Sequence, residues 1–226
     1  MAVFLDIEVG ADDVRGLIIP VRHNVPVTGR IIVCQSAGEI NVSRMRVRLR
    51  TAENFPVGSP NGRVADDGTF AIESVSQTNR RVSLTGLPGG AYVAAAYIGG
   101  SDILGDGIQV TADLGPIEFW VSGAGGALDG TVRITADQTY TGAQAVLIPE
   151  DPERNDLYKV ASVDQYGRFA MGGIAPVNYS VFAWEDAPEG AFQDPDFAGL
   201  YEDFCERIEI EQSGHSQVQP QLIPAG

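Results

Sequence analysis

The sequence predicts an all-β protein built as two tandem antiparallel sandwiches, and three observations lead there. Helical periodicity is nearly absent, while short runs alternate apolar and polar residues. The 27 glycines and 13 prolines fall between those runs, where turns are needed, rather than in low-complexity tracts. One pattern also occurs twice: Val64-Ala65-Asp66-Asp67-Gly68-Thr69-Phe70-Ala71 returns as Val163-Asp164-Gln165-Tyr166-Gly167-Arg168-Phe169-Ala170, 99 residues later.

Taken in order, the strand-like runs are Val27–Cys34, Met45–Arg50, Thr69–Ile72, Arg81–Leu84, Ala91–Ile98 and Ile117–Val121 in the first half. The second half offers Gly130–Ile134, Ala143–Ile148, Tyr158–Val163, Arg168–Met171, Tyr179–Trp184, Arg207–Glu211 and Gln217–Ile223. Met45–Arg50 has a clean period of two, with Met45, Val47 and Leu49 on one face and three arginines on the other. The repeat keeps its offset outside the hairpin, pairing Val47 with Val146, Leu49 with Ile148, Val75 with Ile174, Asn79 with Asn178 and Val82 with Val181. The small residues Ser122 to Gly126 mark a flexible boundary. The expected division is therefore a first module over 27–122 and a second over 123–226. Residues 1–26, with Ile7-Glu8-Val9 and Leu17–Val21, resemble a module's closing strands. They are expected to end a preceding module or, alternatively, to add a strand to the first.

Composition narrows the function classes. The net charge is −15, of which residues 122–226 carry −12, and an acidic surface repels a phosphate backbone, so nucleic acid is not expected as a partner. No apolar run approaches the ~20 residues of a membrane helix, so direct insertion is not expected either. The start, Met1 to Glu8, lacks the basic stretch of a secretion signal. Cys34 and Cys205 do not make a disulfide framework and are expected as buried or half-buried free thiols.

The repeated hairpin carries a resemblance. Val163-Asp164-Gln165-Tyr166-Gly167-Arg168-Phe169, followed by Ile174-Ala175-Pro176-Val177-Asn178-Tyr179, resembles the carboxypeptidase regulatory-like family. That family has a Thr-Asp-x-x-Gly-x-Phe hairpin and then Leu-Pro-x-Gly-x-Tyr, on a prealbumin-like (carbohydrate-binding-like) Greek-key sandwich. The glycines Gly68 and Gly167 suit a left-handed turn position. Asn178 stands where the family has Gly, and is expected to tolerate the same backbone. The first module departs further, with Gln77, Thr78, Asn79 and Arg80 in place of that second motif. The resemblance implies a non-catalytic structural or interaction module of a larger secreted or cell-envelope protein, with neighbouring modules of the same polypeptide as partners.

Chemistry is sparse. His23 and His215, the only histidines, lie in no zinc or nucleophile motif, so no catalytic residue and no enzyme activity is expected. Lys159, the only lysine, reads as an exposed strand residue. No cofactor is expected. Calcium is the alternative, on the acids of the segment 184–204 or on Glu150, Asp151, Glu153 and Asp156, which lack the Asp-x-Asp-x-Asp-Gly spacing. The arginine ladder Arg44, Arg46, Arg48, Arg50 suits an exposed, charge-guarded strand, or an anion. The richest segment is the insertion 184–204, dense in aromatics and acids. In one reading Asp194 caps a short helix from Pro195, and Phe197, Leu200, Tyr201 and Phe204 pack it onto the sandwich. In the other, the segment is a glycan or protein site, with Trp184, Phe192 and Tyr201 as stacking surfaces and Asp194 and Asp196 bonding hydroxyls. Far-ultraviolet circular dichroism should show a strand-dominated spectrum; helix near one third of the residues would overturn the fold class.

Overall fold

The computed structural model describes residues 22–36, 39–51, 59–105, 107–186 and 190–224. The expected strands Ile7–Val9 and Leu17–Val21 lie outside them. Seventeen strands and one α-helix are described, so the protein is all-β. The strands are β1 (Val25–Gln35), β2 (Arg46–Thr51), β3 (Asn61–Arg63), β4 (Thr69–Val75), β5 (Asn79–Thr85), β6 (Tyr92–Ile98), β7 (Ser101–Asp102), β8 (Ile108–Gln109) and β9 (Ile117–Ser122). They continue as β10 (Gly126–Thr131), β11 (Gln144–Pro149), β12 (Lys159–Ser162), β13 (Arg168–Ile174), β14 (Asn178–Trp184), β15 (Glu206–Glu209), β16 (His215–Val218) and β17 (Leu222–Ile223). The helix α1 spans Pro195–Gly199.

These strands form four sheets, ordered β4-β1-β9-β6-β7, β3-β2-β5-β8, β13-β10-β16 and β12-β11-β14-β15, with β17 also on β14. The chain divides into two compact units that interleave along the sequence. Val42–Gly86 and Tyr97–Glu118 belong to one; Ile32–Asn41, Leu87–Ala96 and the chain from Phe119 onward belong to the other.

The larger unit is a sandwich closed by one core. Leu128, Phe169, Met171 and Val218 come from one sheet, and Ala145, Leu147, Val181 and Ala183 from the other. Its last segment changes sheets. β16 runs parallel to β10, Arg133 then bridges to Gln221, and β17 runs parallel to β14. In the smaller unit β2 alternates as its sequence predicts: Val47 and Leu49 are buried, and Arg46, Arg48 and Arg50 are exposed.

Every strand of the repeated hairpin is built twice. Gly29 lies opposite Phe70 and Gly130 opposite Phe169, and each phenyl ring rests on the bare Cα of its glycine. The Ala65 N–H donates to Thr69 O (2.8 Å), as the Asp164 N–H donates to Arg168 O (2.9 Å). The turn glycines Gly68 and Gly167 have φ of 84° and 80°, a region that L side chains avoid. Asp67 Oδ1 accepts from the Thr69 N–H and hydroxyl, which hold its carboxyl below the usual range. Asp164 Oδ1 accepts from the Tyr166 and Arg168 N–H groups.

The structure corrects several sequence expectations. Leu49 faces Val82 while Leu147 faces Val181, and Val47 faces Leu84 while Ala145 faces Ala183. The offset in this strand is therefore 98, and Val146 and Ile148 point to the opposite face from Val47 and Leu49, because one residue of slip reverses every side chain. β10 begins at Gly126, where the flexible boundary was expected. Asn178 does not have positive φ; it opens β14, and its amide donates to Glu150 Oε2 (2.9 Å). Lys159 is half-buried opposite the core residue Leu147, and burial pushes its ammonium pKa down. Cys34 is exposed and Cys205 half-buried, both as free thiols.

The glycine beneath each ring should be indispensable. Gly130→Ala places a methyl group within the Phe169 ring and should cost about 1–3 kcal/mol in urea unfolding. Adding Phe169→Leu should recover part of that loss, so that the pair is non-additive. Additive costs would mean that the ring and the glycine are not coupled.

Candidate functional site

The insertion after β14 takes its place from the sheet beneath it. β11 is buried from Ala145 to Pro149 and β14 from Val181 to Trp184, on both faces rather than alternately. Ala145, Leu147, Val181 and Ala183 face the sandwich core, whereas Val146, Ile148, Phe182, Trp184 and Ile223 form a second cluster on the outer face. An apolar outer face needs a cover. Phe192, Phe197, Ala198 and Tyr201 of the insertion supply it, together with Cys205 just after it and Tyr158.

Local chemistry shapes the cover. Asp194 is the N-cap of α1; its carboxylate accepts from the Asp196 N–H (3.0 Å), and Pro195 occupies the first turn. Phe197 and Tyr201, one helical turn apart, reach the sheet. Leu200 (77% exposed) and Phe204 (37%) do not, contrary to the spacing argument. For Phe204 the physical reason is length: α1 ends at Gly199, and Tyr201 (φ −115°, ψ 16°) breaks the helical phase before a 3-10 turn over Glu202–Phe204, whereas Leu200 (φ −62°, ψ −21°) keeps helical backbone and still turns to solvent.

Trp184 is 2% exposed, stacked on Phe182 at 4.8 Å, with Tyr201 edge-on at 6.0 Å and Phe197 tilted at 6.1 Å. Neither face of its indole is open to a sugar ring. Its Nε1 is buried without a hydrogen-bond partner among the described residues. Tyr201 and Phe192 are half-buried, Phe192 tilted against Tyr158 at 6.4 Å. Asp194 and Asp196 are exposed, Asp194 engaged as the cap and Asp196 in the first turn of α1. The structure thus gathers the three aromatics into one packed layer, and leaves the two carboxylates at the helix start.

The other candidate acids are engaged locally. Glu150 accepts from Asn178, Asp151 Oδ1 from the Glu153 N–H (3.0 Å), and Asp156 takes both guanidinium contacts of Arg154 (2.9 Å each). Among the described residues no three of His, Cys, Asp or Glu gather as a metal-binding group. His23 is exposed, and His215 Nε2 lies 2.9 Å from Asp129 Oδ2.

One feature had no sequence signal. A solvated groove of about 1080 Å³ in the larger unit is lined by Asp129, Arg133, Asp164, Arg168, Glu206 and Gln217, among others. Its polar groups largely serve one another: the Arg133 Nε–H donates to Gln219 O (2.8 Å), and Glu206 Oε2 accepts from the Gln219 N–H (2.7 Å). Nothing local in the sequence joins residues so far apart. The parallel pairing of β10 with β16 brings them together.

No family model matches the chain, and no curated protein matches it in sequence. Solved structures give faint likenesses. The Bacillus anthracis TIE protein is 12% identical with a TM-score of 0.29, over 88% of this chain and 35% of that one, so this chain spans about a third of its length. GBS52, the minor pilin of Streptococcus agalactiae, is 10% identical with a TM-score of 0.29, over 89% and 98%. The shaft pilin SpaA of Lactobacillus rhamnosus GG is 11% identical with a TM-score of 0.29, over 90% and 99%. At these TM-scores the likenesses carry no argument about fold or role.

If the insertion is a structural layer, its rings should matter to stability. Phe197→Ala and Tyr201→Ala should each lower stability, by up to ~3 kcal/mol for these partly buried rings, and Trp184→Ala by about 3–5 kcal/mol. Asp194→Ala should cost about 1 kcal/mol through the lost cap. Unchanged melting temperatures across the three aromatic variants would mean that the layer is not load-carrying.

Proposed function

We propose that the chain is a pair of carboxypeptidase-regulatory-like β-sandwich modules, 27–122 and 123–226, serving as a non-catalytic structural and interaction segment of a larger secreted or cell-envelope protein. The observation that carries this reading is the use of the insertion. The segment with the most binding-like composition closes a sheet face with its aromatics and caps a helix with its acid. Two copies of one hairpin, with the same glycine and phenylalanine in register, support a modular unit whose conserved physics is packing.

Neighbouring modules of the same polypeptide are the proposed partners, in an extracellular or envelope setting. No helix among the described residues is long and apolar enough to cross a membrane. The net charge of −15 favours a well-solvated surface and disfavours polyanionic partners.

A glycan array and a calcium titration, read beside the melting temperature, test this. The expected result is no saturable sugar binding and no calcium-dependent rise in melting temperature. Saturable binding to one sugar, lost in Tyr201→Ala with unchanged stability, would replace the structural reading with a carbohydrate-binding one.

A further inference from the structure

The repeat makes one edge of the larger unit conspicuous. Beyond the shared hairpin, β9 stands beside β1 as β16 stands beside β10, and each follows the short strand (β8 or β15) that pairs with β5 or β14. The short strands correspond closely: Asn79 pairs with Gln109 as Asn178 pairs with Glu209, and Arg80 with Ile108 as Tyr179 with Ile208. The two sheets part at their next position. In the order β4-β1-β9-β6-β7, the far edge of β9 is filled by β6; in the order β13-β10-β16, β16 is the last strand.

The source of β6 explains the difference. It comes from the segment between β5 and β8, the counterpart of the insertion between β14 and β15. In the second copy that insertion covers the outer face of β11 and β14, and contains no strand among its described residues. Among the described residues, no strand of the second copy lies beyond β16.

The backbone phase identifies the open groups. The Ala127 N–H donates to Gly214 O (2.9 Å), and Ala127 to Gly130 pair in parallel with His215 to Val218. Bonding in a parallel ladder alternates along the strand, so His215 and Gln217 direct their N–H and C=O groups away from β10. The next outward donor, the Gln219 N–H, is already taken by Glu206. His215–Val218 has no proline, lysine or bulge, and its four residues set the length available for pairing.

We propose that the outer edge of β16 is a strand-acceptor site for an extended peptide of small apolar and aromatic residues, supplied by a separate polypeptide. Its chemistry is that of β6, Tyr92-Val93-Ala94-Ala95-Ala96-Tyr97-Ile98, the strand that occupies the corresponding edge in the first copy. Main-chain hydrogen bonds to His215 and Gln217 give the affinity, and the alternation of side chains along the peptide sets which of them face the sheet's two sides. The inference rests on the reading of the chain as two copies of one module.

The test is a titration of the full chain with a labelled peptide of the Tyr92–Ile98 sequence, flanked by solubilising arginines and followed by fluorescence anisotropy and amide hydrogen exchange. Binding should slow exchange at His215 and Gln217. A peptide N-methylated at alternate residues should bind at least about tenfold more weakly. Gln217→Pro removes an outward N–H and leaves the bonds to β10 in place, so it should retain the melting temperature and lose binding. If that variant fails to fold, the N-methylated peptide alone decides. No binding, equal binding by the N-methylated peptide, protection at β9 in place of β16, or pairing of β16 with a second copy of the chain would each overturn the proposal. Matching exchange protection in the hairpins 64–71 and 163–170 is a separate readout; its loss would count against the two-copy reading itself.

Discussion

A sheet that is apolar on both faces must be covered on both, and β11 with β14 is such a sheet. The consequence runs through the larger unit. Its inner face, with Ala145, Leu147, Val181 and Ala183, closes the sandwich core. Its outer face, with Val146, Ile148, Phe182 and Trp184, would present a contiguous apolar patch to water if left bare. The insertion between β14 and β15 is therefore held by its aromatics, and its aromatic and acidic composition reflects one side packed and one side wet. The corresponding sheet of the smaller unit carries Arg46, Arg48 and Arg50 outward, and needs no such layer. The segment between β5 and β8 instead carries strand β6.

The hairpin common to both units rests on a simpler constraint. A phenylalanine on one strand lies over a glycine on its neighbour, where a Cβ would collide with the ring. The turn that connects into the phenylalanine strand needs positive φ, and glycine supplies it at Gly68 and Gly167. These requirements are local in space and severe in shape, and both halves of the chain satisfy them with the same residue types.

Much of this was legible in the residue order. The period of two in Met45–Arg50, the turn glycines and the repeated hairpin are short-range features set by backbone sterics and strand geometry. The Asp194–Pro195 helix start was legible for the same reason, since a cap is a contact between residues two apart. Phe204 was misplaced because spacing assumes a continuing helix, and the phase of α1 is lost at Tyr201, before that residue. The one-residue slip at Val146 and Ile148 escaped because both faces of that strand are apolar, so either register looked acceptable.

The sequence by itself determined the class of the protein: its strands, its turns, its doubled hairpin and the absence of a recognisable catalytic motif. Each of these depends on residues near one another in the chain, or on a pattern repeated along it. Only the tertiary structure decided which face of β11 looks inward, that Trp184 is sealed beneath Phe197 and Tyr201, and that β16 ends a sheet where β9 does not. Those outcomes depend on which surfaces meet across distant parts of the chain, and burial is decided by the partner surface as much as by the residue itself.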